Sequence, residues 1–105
     1  MSNVTVASVQ MSMADDAGTN LAAAEAKIRS AAADGAQIVL IPELFEDRYF
    51  CEDQRAEHLA KARPLSGHPT VEHFAAVARE LNVVLPISFY ERAGNELFNS
   101  CAIVD

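Results

Sequence analysis

The chain has 105 residues, 50% of them hydrophobic and 22% charged, and this balance predicts a packed globular domain, or a piece of one, rather than a disordered segment. Fifteen acidic against eight basic residues give a net charge of −7, which disfavours nucleic acid and anionic membrane surfaces as partners but tolerates a cationic small molecule. The first ten residues lack the basic and apolar regions of a secretion signal, and the sequence has no apolar run of about 18 residues, so we expect a cytoplasmic protein.

The first third of the chain predicts a strand followed by a helix. Apolar and β-branched residues alternate over residues 3–11, which indicates a strand, and we expect both of its faces to be covered. Thr19 or Asn20 can cap the alanine-rich helix predicted over residues 21–33, and Gly35 ends it. The apolar stripe of this helix consists of Leu21, Ala24, Ile28 and Ala31.

The middle of the chain predicts a second strand and two more helices. Residues 37–41 form an apolar run that is too short for a helix and is typical of a central strand buried on both faces, and Pro42 ends it. Residues 52–62 predict a short polar helix. Pro69 suits the first turn of a longer helix because its missing N–H would be unpaired there anyway. The apolar stripe of that helix consists of Val71, Phe74, Ala75, Ala78 and Leu81.

The last third of the chain predicts a hairpin. Asn82 is the expected stop of the preceding helix. Residues 83–91 predict a strand, in which Pro86 removes one ladder donor and therefore implies an edge, a bulge or a strand end. An Ala-Gly-Asn turn leads to an antiparallel strand over residues 97–104. The order of all these elements predicts an α/β layered domain with a mixed sheet.

The chain stops directly on a predicted strand, which leaves a sheet edge and one sheet face with nothing evident to cover them. We therefore expect residues 1–105 to be the N-terminal part of a single larger domain, whose remainder follows residue 105. The alternative is a complete small α/β protein that hides the same surface by oligomerisation.

Glu43 is the leading candidate for a catalytic residue. It directly follows the apolar strand, and open α/β sheets bind their ligands at the carboxyl ends of strands. Because Pro42, Leu44 and Phe45 flank it, we expect a partly desolvated carboxylate suited to general-base catalysis. From spacing alone, a solvated glutamate, or one that pairs with Arg48, is the simpler interpretation.

Residues 37–51, QIVLIPELFEDRYFC, resemble the first signature of the nitrilase superfamily of carbon–nitrogen hydrolases, in which an apolar strand delivers a P-E-L-F segment. The likeness extends along the chain, through VASVQM, HPTVEHFAAVARELNVVLPISFYE and LFNSCAIVD. Among the branches of the superfamily, LFEDRYFCEDQR, LSGHPTVEHF and LPISFYE most resemble the N-carbamoylputrescine amidohydrolases.

The resemblance implies the N-terminal part of an αββα sandwich, with a mixed β-sheet and helices on one face. It implies that Glu43 is the base of a Glu-Lys-Cys triad, with no cofactor or metal, a small cationic ureido substrate and a homo-oligomeric full-length form. The implied reaction converts N-carbamoylputrescine and water to putrescine, ammonia and carbon dioxide through a cysteine carbamoyl-enzyme. Lys27 and Lys61 stand outside a lysine motif, so the lysine and the cysteine are expected beyond residue 105.

The cysteines and histidines carry no catalytic assignment. Cys51 and Cys101 lie far apart, and we expect both to be small buried hydrophobic residues. His58, His68 and His73 do not show the spacing of a metal site, so we expect ordinary surface histidines.

The segment after Glu43 carries Glu46, Asp47, Tyr49 and Phe50, which could line the entrance of a pocket, where an acidic residue would suit an ammonium group. A solvated loop fits the same pattern. Two other functions also stay open: another superfamily amidase that acts on a ureido acid or an ω-amide, and a non-catalytic module that associates through its open sheet edge.

Overall fold

The computed structural model describes residues 2–48 and 56–105. Within these ranges the chain forms four strands, two α-helices and one 3-10 helix. In chain order the elements are β1 (Val6–Ser8), α1 (Ala17–Ala33), β2 (Ile38–Leu40), the 3-10 helix (Ala56–Lys61), α2 (Pro69–Leu81), β3 (Leu85–Ala93) and β4 (Glu96–Val104). The helix predicted over 52–62 is this 3-10 helix, while residues 52–55 lie outside the described ranges.

The strands form two pairs that a bridge connects. β1 and β2 are parallel, with Ala7 opposite Val39, and β3 and β4 form an antiparallel hairpin. Val84 links the pairs, because its N–H donates to the carbonyl of Gln37 at 2.9 Å and its carbonyl accepts from the N–H of Val39 at 3.1 Å. The spatial order is therefore β1, β2, β3, β4, with both parallel and antiparallel neighbours, and the α/β prediction with a mixed sheet is confirmed.

Pro86 limits the pairing between β2 and β3. In the parallel ladder that begins at Val84, the next donor on that strand is the backbone nitrogen of residue 86. A proline nitrogen carries no hydrogen, so this bond cannot form. Pro86 is the second residue of β3, so of the three predicted alternatives the structure shows a position near a strand end, and β2 is free to turn away after Leu40.

The hydrophobic core lies between the sheet and the two helices. Phe45 and Phe74 are completely buried, with ring centroids 5.5 Å apart in an edge-to-face arrangement. Both predicted helical stripes face this core, which also contains Ala24, Ile28, Val39, Val77, Ala78, Leu85, Ile87 and Phe89. α1 carries small alanines on this face, so it can lie close to its neighbours.

The face of the sheet away from the helices, hereafter the open face, is not covered by any of residues 2–48 and 56–105. Val6, Leu40 and Ile103 lie there and are 66%, 51% and 67% exposed. The expectation that β1 and β2 are covered on both faces is therefore wrong for the described residues. The apolar run over residues 37–41 identified a strand correctly, but hydrophobicity alone does not say which chain segment covers it.

The ends of the helices show how local chemistry sets their length. Asp16, rather than Thr19 or Asn20, caps α1, because its carboxylate accepts bonds from the Thr19 N–H at 2.9 Å and the Thr19 hydroxyl at 2.8 Å. These bonds hold the pKa of Asp16 below its ordinary value. Asn82 ends α2 in the left-handed conformation, with φ of 56°, as predicted. Within the described residues, no helix combines the length and the apolar character needed to cross a bilayer.

Candidate functional site

Glu43 opens a tight turn immediately after β2 and Pro42. The residue that follows it, Leu44, is buried and has φ of +49°, a left-handed conformation that is unfavourable for residues with a Cβ atom. Glu43 thus lies at the carboxyl end of β2, as predicted, but its side chain is exposed rather than partly desolvated. The expected desolvation is wrong for the described residues because nothing in them covers this side of the turn.

Two side chains of the hairpin contact the Glu43 turn. The N–H of Leu44 donates to Ser88 Oγ at 3.0 Å, and the Ser88 hydroxyl donates to Asn99 Oδ1 at 3.4 Å. Asn99 Nδ2 in turn donates to Glu43 Oε1. Ser88 and Asn99 were not identified from the sequence, since only the register of β3 and β4 brings them beside a turn whose contacting residues lie 44 and 56 positions earlier in the chain, respectively.

The far end of the same turn is held by both helices. Asn20 is buried in α1, and its Nδ2 donates to the carbonyl of Glu46 at 3.0 Å. The same amide group pairs with the Ala14 backbone, accepting from its N–H at 2.7 Å and donating to its carbonyl at 2.9 Å. The hydroxyl of Thr70, in the first turn of α2, donates a hydrogen bond to the Glu46 carboxylate. The turn is therefore fixed at both ends.

Asp47 and Lys61 form an ion pair next to this turn. Their carboxylate oxygen and ammonium nitrogen are 2.6 Å apart. Burial acts to raise the pKa of Asp47, but the hydrogen bonds from Lys61 and from the Arg48 N–H outweigh it and leave that pKa below its ordinary value. The ammonium of Lys61 is thus already paired with a carboxylate, which agrees with its position outside a lysine motif.

A cavity of about 300 Å³ lies beside the turn, between β3 and the first turns of the two helices. Glu46 and Asp47 line it, as predicted, although Thr70 and Lys61 already bind their carboxylates. Glu43 is not among the residues that line this cavity. Its carboxylate instead contacts Asn99, which lies on the open face. Tyr49 and Phe50 lie outside the described residues, so their predicted role at the entrance stays a prediction.

Comparison with known proteins identifies the family. The sequence profile described as carbon-nitrogen hydrolase matches residues 5–105. The chain belongs to the carbon–nitrogen hydrolase family. Its members of known function that match it include an N-carbamoylputrescine amidase from Solanum lycopersicum, 49% identical over 102 residues, which cover 97% of this chain and 34% of that protein. A citrullinase from Francisella tularensis is 43% identical over 105 residues, 100% of this chain and 37% of that protein.

Solved structures of carbon–nitrogen hydrolases share the fold. A hydrolase of this family from Helicobacter pylori superposes with a TM-score of 0.84 at 19% identity, over 95% of this chain and 35% of that one. Nit3 of Saccharomyces cerevisiae, a member of the nitrilase superfamily, gives 0.79 at 20% identity, over 97% of this chain and 40% of that one. The chain spans about a third of the length of the curated relatives it matches.

Two predictions about other reactive residues of this hydrolase-family chain are corrected. His68 is buried rather than on the surface, because its Nδ1 accepts from the Val71 N–H and caps α2, and its ring packs on Phe89 with centroids 5.0 Å apart. Cys101 is exposed on the open face rather than buried. His73 is exposed as predicted, His58 is half-buried, and Cys51 lies outside the described residues.

Proposed function

We propose that the chain forms the glutamate-bearing first part of a hydrolase that converts N-carbamoylputrescine and water to putrescine, ammonia and carbon dioxide. The observation that carries this proposal is the 49% identity to N-carbamoylputrescine amidases over 97% of the chain. The position of Glu43 supports it, because the carboxylate lies at the carboxyl end of β2 on a turn fixed at both ends. The full-length protein is cytoplasmic and homo-oligomeric in this proposal.

In this proposal Glu43 is the general base, and residues beyond 105 supply the cysteine nucleophile and the lysine. Glu43 takes the thiol proton while the sulfur bonds to the ureido carbon, and the lysine ammonium stabilises the oxyanion. The bond from that carbon to the putrescine nitrogen breaks, and Glu43 returns the proton to the leaving amine. Glu43 then takes a proton from water as the water oxygen bonds to the carbamoyl carbon. The carbon–sulfur bond breaks, the thiol regains its proton, and the released carbamate gives ammonia and carbon dioxide.

The exposure of Glu43 is consistent with this role for a part of a larger domain. The carboxylate lies on the open face, where groups from the rest of the domain can approach it without displacing the helices or the core. When such groups exclude water, the carboxylate becomes a stronger proton acceptor toward a nearby thiol.

The test is Glu43→Gln in the full-length protein, with ammonia release from N-carbamoylputrescine as the measurement. Glutamine keeps the size and the contact with Asn99 but cannot accept a proton, so we expect kcat to fall by at least about 100-fold. Glu96→Gln, the same change at an exposed position next to the hairpin turn, is the matched control and should keep the parent rate. Turnover by Glu43→Gln at the parent rate would show that another group is the base.

A second substrate has a specific observation in its favour, namely the 43% identity to a citrullinase over the whole chain. Citrulline also carries a ureido group, so the same chemistry would act on it. Assays with N-carbamoylputrescine, citrulline and an ω-amide at equal concentrations separate these substrates by kcat/KM. A preference for citrulline would replace the proposed substrate and leave the role of Glu43 in place.

The isolated chain of 105 residues is expected to show no turnover, because it offers no lysine and cysteine motif to complete the triad. Reading the gene beyond codon 105 separates the hydrolase from the non-catalytic module. Lysine and cysteine motifs downstream support the hydrolase, whereas a stop codon directly after codon 105 supports the module.

A further inference from the structure

Ser88 and Asn99 reach Glu43 because of the register and the alternation of the hairpin. Leu85, Ile87 and Phe89 of β3 are buried against the helices, so the residues between them, including Ser88, face the open side. Asn99 lies opposite Tyr90, and residues that oppose each other across an antiparallel pair share a face. Ser88 and Asn99 are therefore diagonal neighbours on the open face, where both contact the Glu43 turn.

The hydrogen bonds of these residues form a closed ring with the Glu43 turn. The ring runs from the Leu44 N–H to the Ser88 oxygen, from the Ser88 hydroxyl to Asn99 Oδ1, and from Asn99 Nδ2 to Glu43 Oε1. Because the Ser88 hydroxyl already accepts from a backbone N–H, its own hydrogen is available to the amide oxygen of Asn99. That bond fixes the orientation of the amide, so that its NH₂ group points to the carboxylate.

The strained backbone of the turn gives the ring a second attachment point. Leu44 adopts a left-handed conformation that its Cβ atom disfavours, and such residues persist only where their surroundings hold them. Its N–H is bound by Ser88, and its side chain is buried. One ring thus holds both the backbone directly after Glu43 and one oxygen of the Glu43 carboxylate.

We propose that Ser88 and Asn99 are positioning residues that bind Oε1 of Glu43 and leave Oε2 as the oxygen that exchanges protons with thiol and water. This inference rests on the proposed function, since it assigns the atom that carries out the proton transfer there. A single amide donor on one oxygen fixes the rotation of the carboxylate and keeps the other oxygen directed away from β4. Neither residue contacts the reacting atoms; each acts through Glu43.

The kinetic test uses Asn99→Ala, Ser88→Ala and Ser88→Thr in the full-length protein, with N-carbamoylputrescine as substrate. We expect Asn99→Ala to lower kcat by about 10- to 100-fold with KM within about twofold, because the misplaced carboxylate affects the chemical step more than binding. Ser88→Ala should lower kcat by less, and Ser88→Thr should restore it because threonine keeps the hydroxyl. Asn95→Ala, the same chemical change in the hairpin turn, is the matched control and should keep the parent kinetics.

The double variant Ser88→Ala with Asn99→Ala tests whether the ring acts as one unit. We expect it to lose little more kcat than Asn99→Ala alone, since residues in one hydrogen-bond network are not additive. If the fold losses in kcat of the two single variants multiply in the double variant, the two residues act independently and the shared ring is contradicted. If Asn99→Ala fails to fold, the pair Ser88→Ala and Ser88→Thr still decides the question.

A measurement without turnover separates this inference from the proposed function. Hydrogen exchange of the Leu44 amide should accelerate by at least about fivefold in Ser88→Ala and return to the parent rate in Ser88→Thr. If the Leu44 amide exchanges in Ser88→Ala at the parent rate, Ser88 does not hold it and the hydrogen-bond ring is overturned. Parent kcat in both Asn99→Ala and Ser88→Ala, with Glu43→Gln inactive, would overturn the positioning role while leaving the proposed function intact. An active Glu43→Gln would instead overturn the role of Glu43 in the proposed function, on which this inference rests.

Discussion

The two faces of the sheet differ in what they carry. On the face that packs on the helices, Val39, Leu85 and Ile87 are completely buried. On the open face, Val6 and Ile103 are largely exposed, although they are as hydrophobic as the buried residues. Both faces come from the same strands, because successive residues of a strand point to opposite sides.

Glu43, Ser88 and Asn99 of the candidate site lie on the open side. Glu43 turns toward it at the end of β2, and Ser88 and Asn99 face it from the hairpin. The buried contacts that stabilise the chain are thus on the opposite face of the sheet from the proposed catalytic residue. Substitutions on the two faces should therefore separate stability from activity, which the following predictions test.

The largest expected effect on stability is that of Phe74→Ala. Phe74 is completely buried in α2 against Phe45, so truncation leaves a cavity and should cost about 3–5 kcal/mol in the free energy of unfolding. In the 105-residue chain, Ile103→Ala removes a large side chain from the open face and should change the free energy of unfolding by less than about 0.5 kcal/mol. Urea unfolding followed by circular dichroism measures both. Equal losses in the two variants would show that the open face is covered in solution.

The features that were predictable from the sequence depend on local spacing. The stripe of α2, its stop at Asn82 and the hairpin follow from residues within a few positions of one another. The same holds for Glu43, whose place at a strand end follows from the apolar run and the proline before it. The resemblance to a family then predicted a catalytic role for this residue, which spacing alone could not.

The features that were missed depend on contacts between distant segments. The exposure of Leu40 reflects which segment covers the strand, and the strand's own residues do not contain that information. His68 caps α2, although serine, threonine, aspartate and asparagine are the common capping residues. The sequence around His68 therefore did not indicate that its side chain is buried. The contact of Asn99 with Glu43 depends both on the hairpin register and on the place of the turn beside the hairpin.

A smaller effect is expected where α1 holds the Glu43 turn. Asn20→Ala leaves the N–H and the carbonyl of Ala14 and the carbonyl of Glu46 without their side-chain partner, and this should cost about 1–3 kcal/mol. Because the turn loosens at its far end, kcat of the full-length protein should also fall. Asn3→Ala, at an exposed position, is the control and should change neither quantity. A loss of stability with unchanged kcat would mean that Ser88 and Asn99 alone hold the turn.

The smallest expected effect belongs to the charged contacts between α1 and α2, which lie on the helices and far from the open face. Glu25 forms hydrogen bonds with His73 and Arg29. The bond with His73 has the larger effect, and together they hold the pKa of Glu25 below its ordinary value of 4.5. Arg29 likewise lowers the pKa of Glu80. A carboxyl group whose pKa is depressed in the folded chain stabilises it above the unfolded pKa and loses that contribution as the pH falls through the folded pKa.

These pairs should therefore contribute at pH 7 and be lost on acidification below about pH 4.5, the ordinary pKa of both carboxyl groups. Glu25→Gln should lower Tm at pH 7 by less than about 4 °C, since surface ion pairs contribute little, and should show a smaller drop in Tm between pH 7 and pH 3 than the parent chain. Glu96→Gln, at an exposed hairpin position, should keep the parent drop. A parent-sized drop in Glu25→Gln would show that the acid sensitivity arises elsewhere.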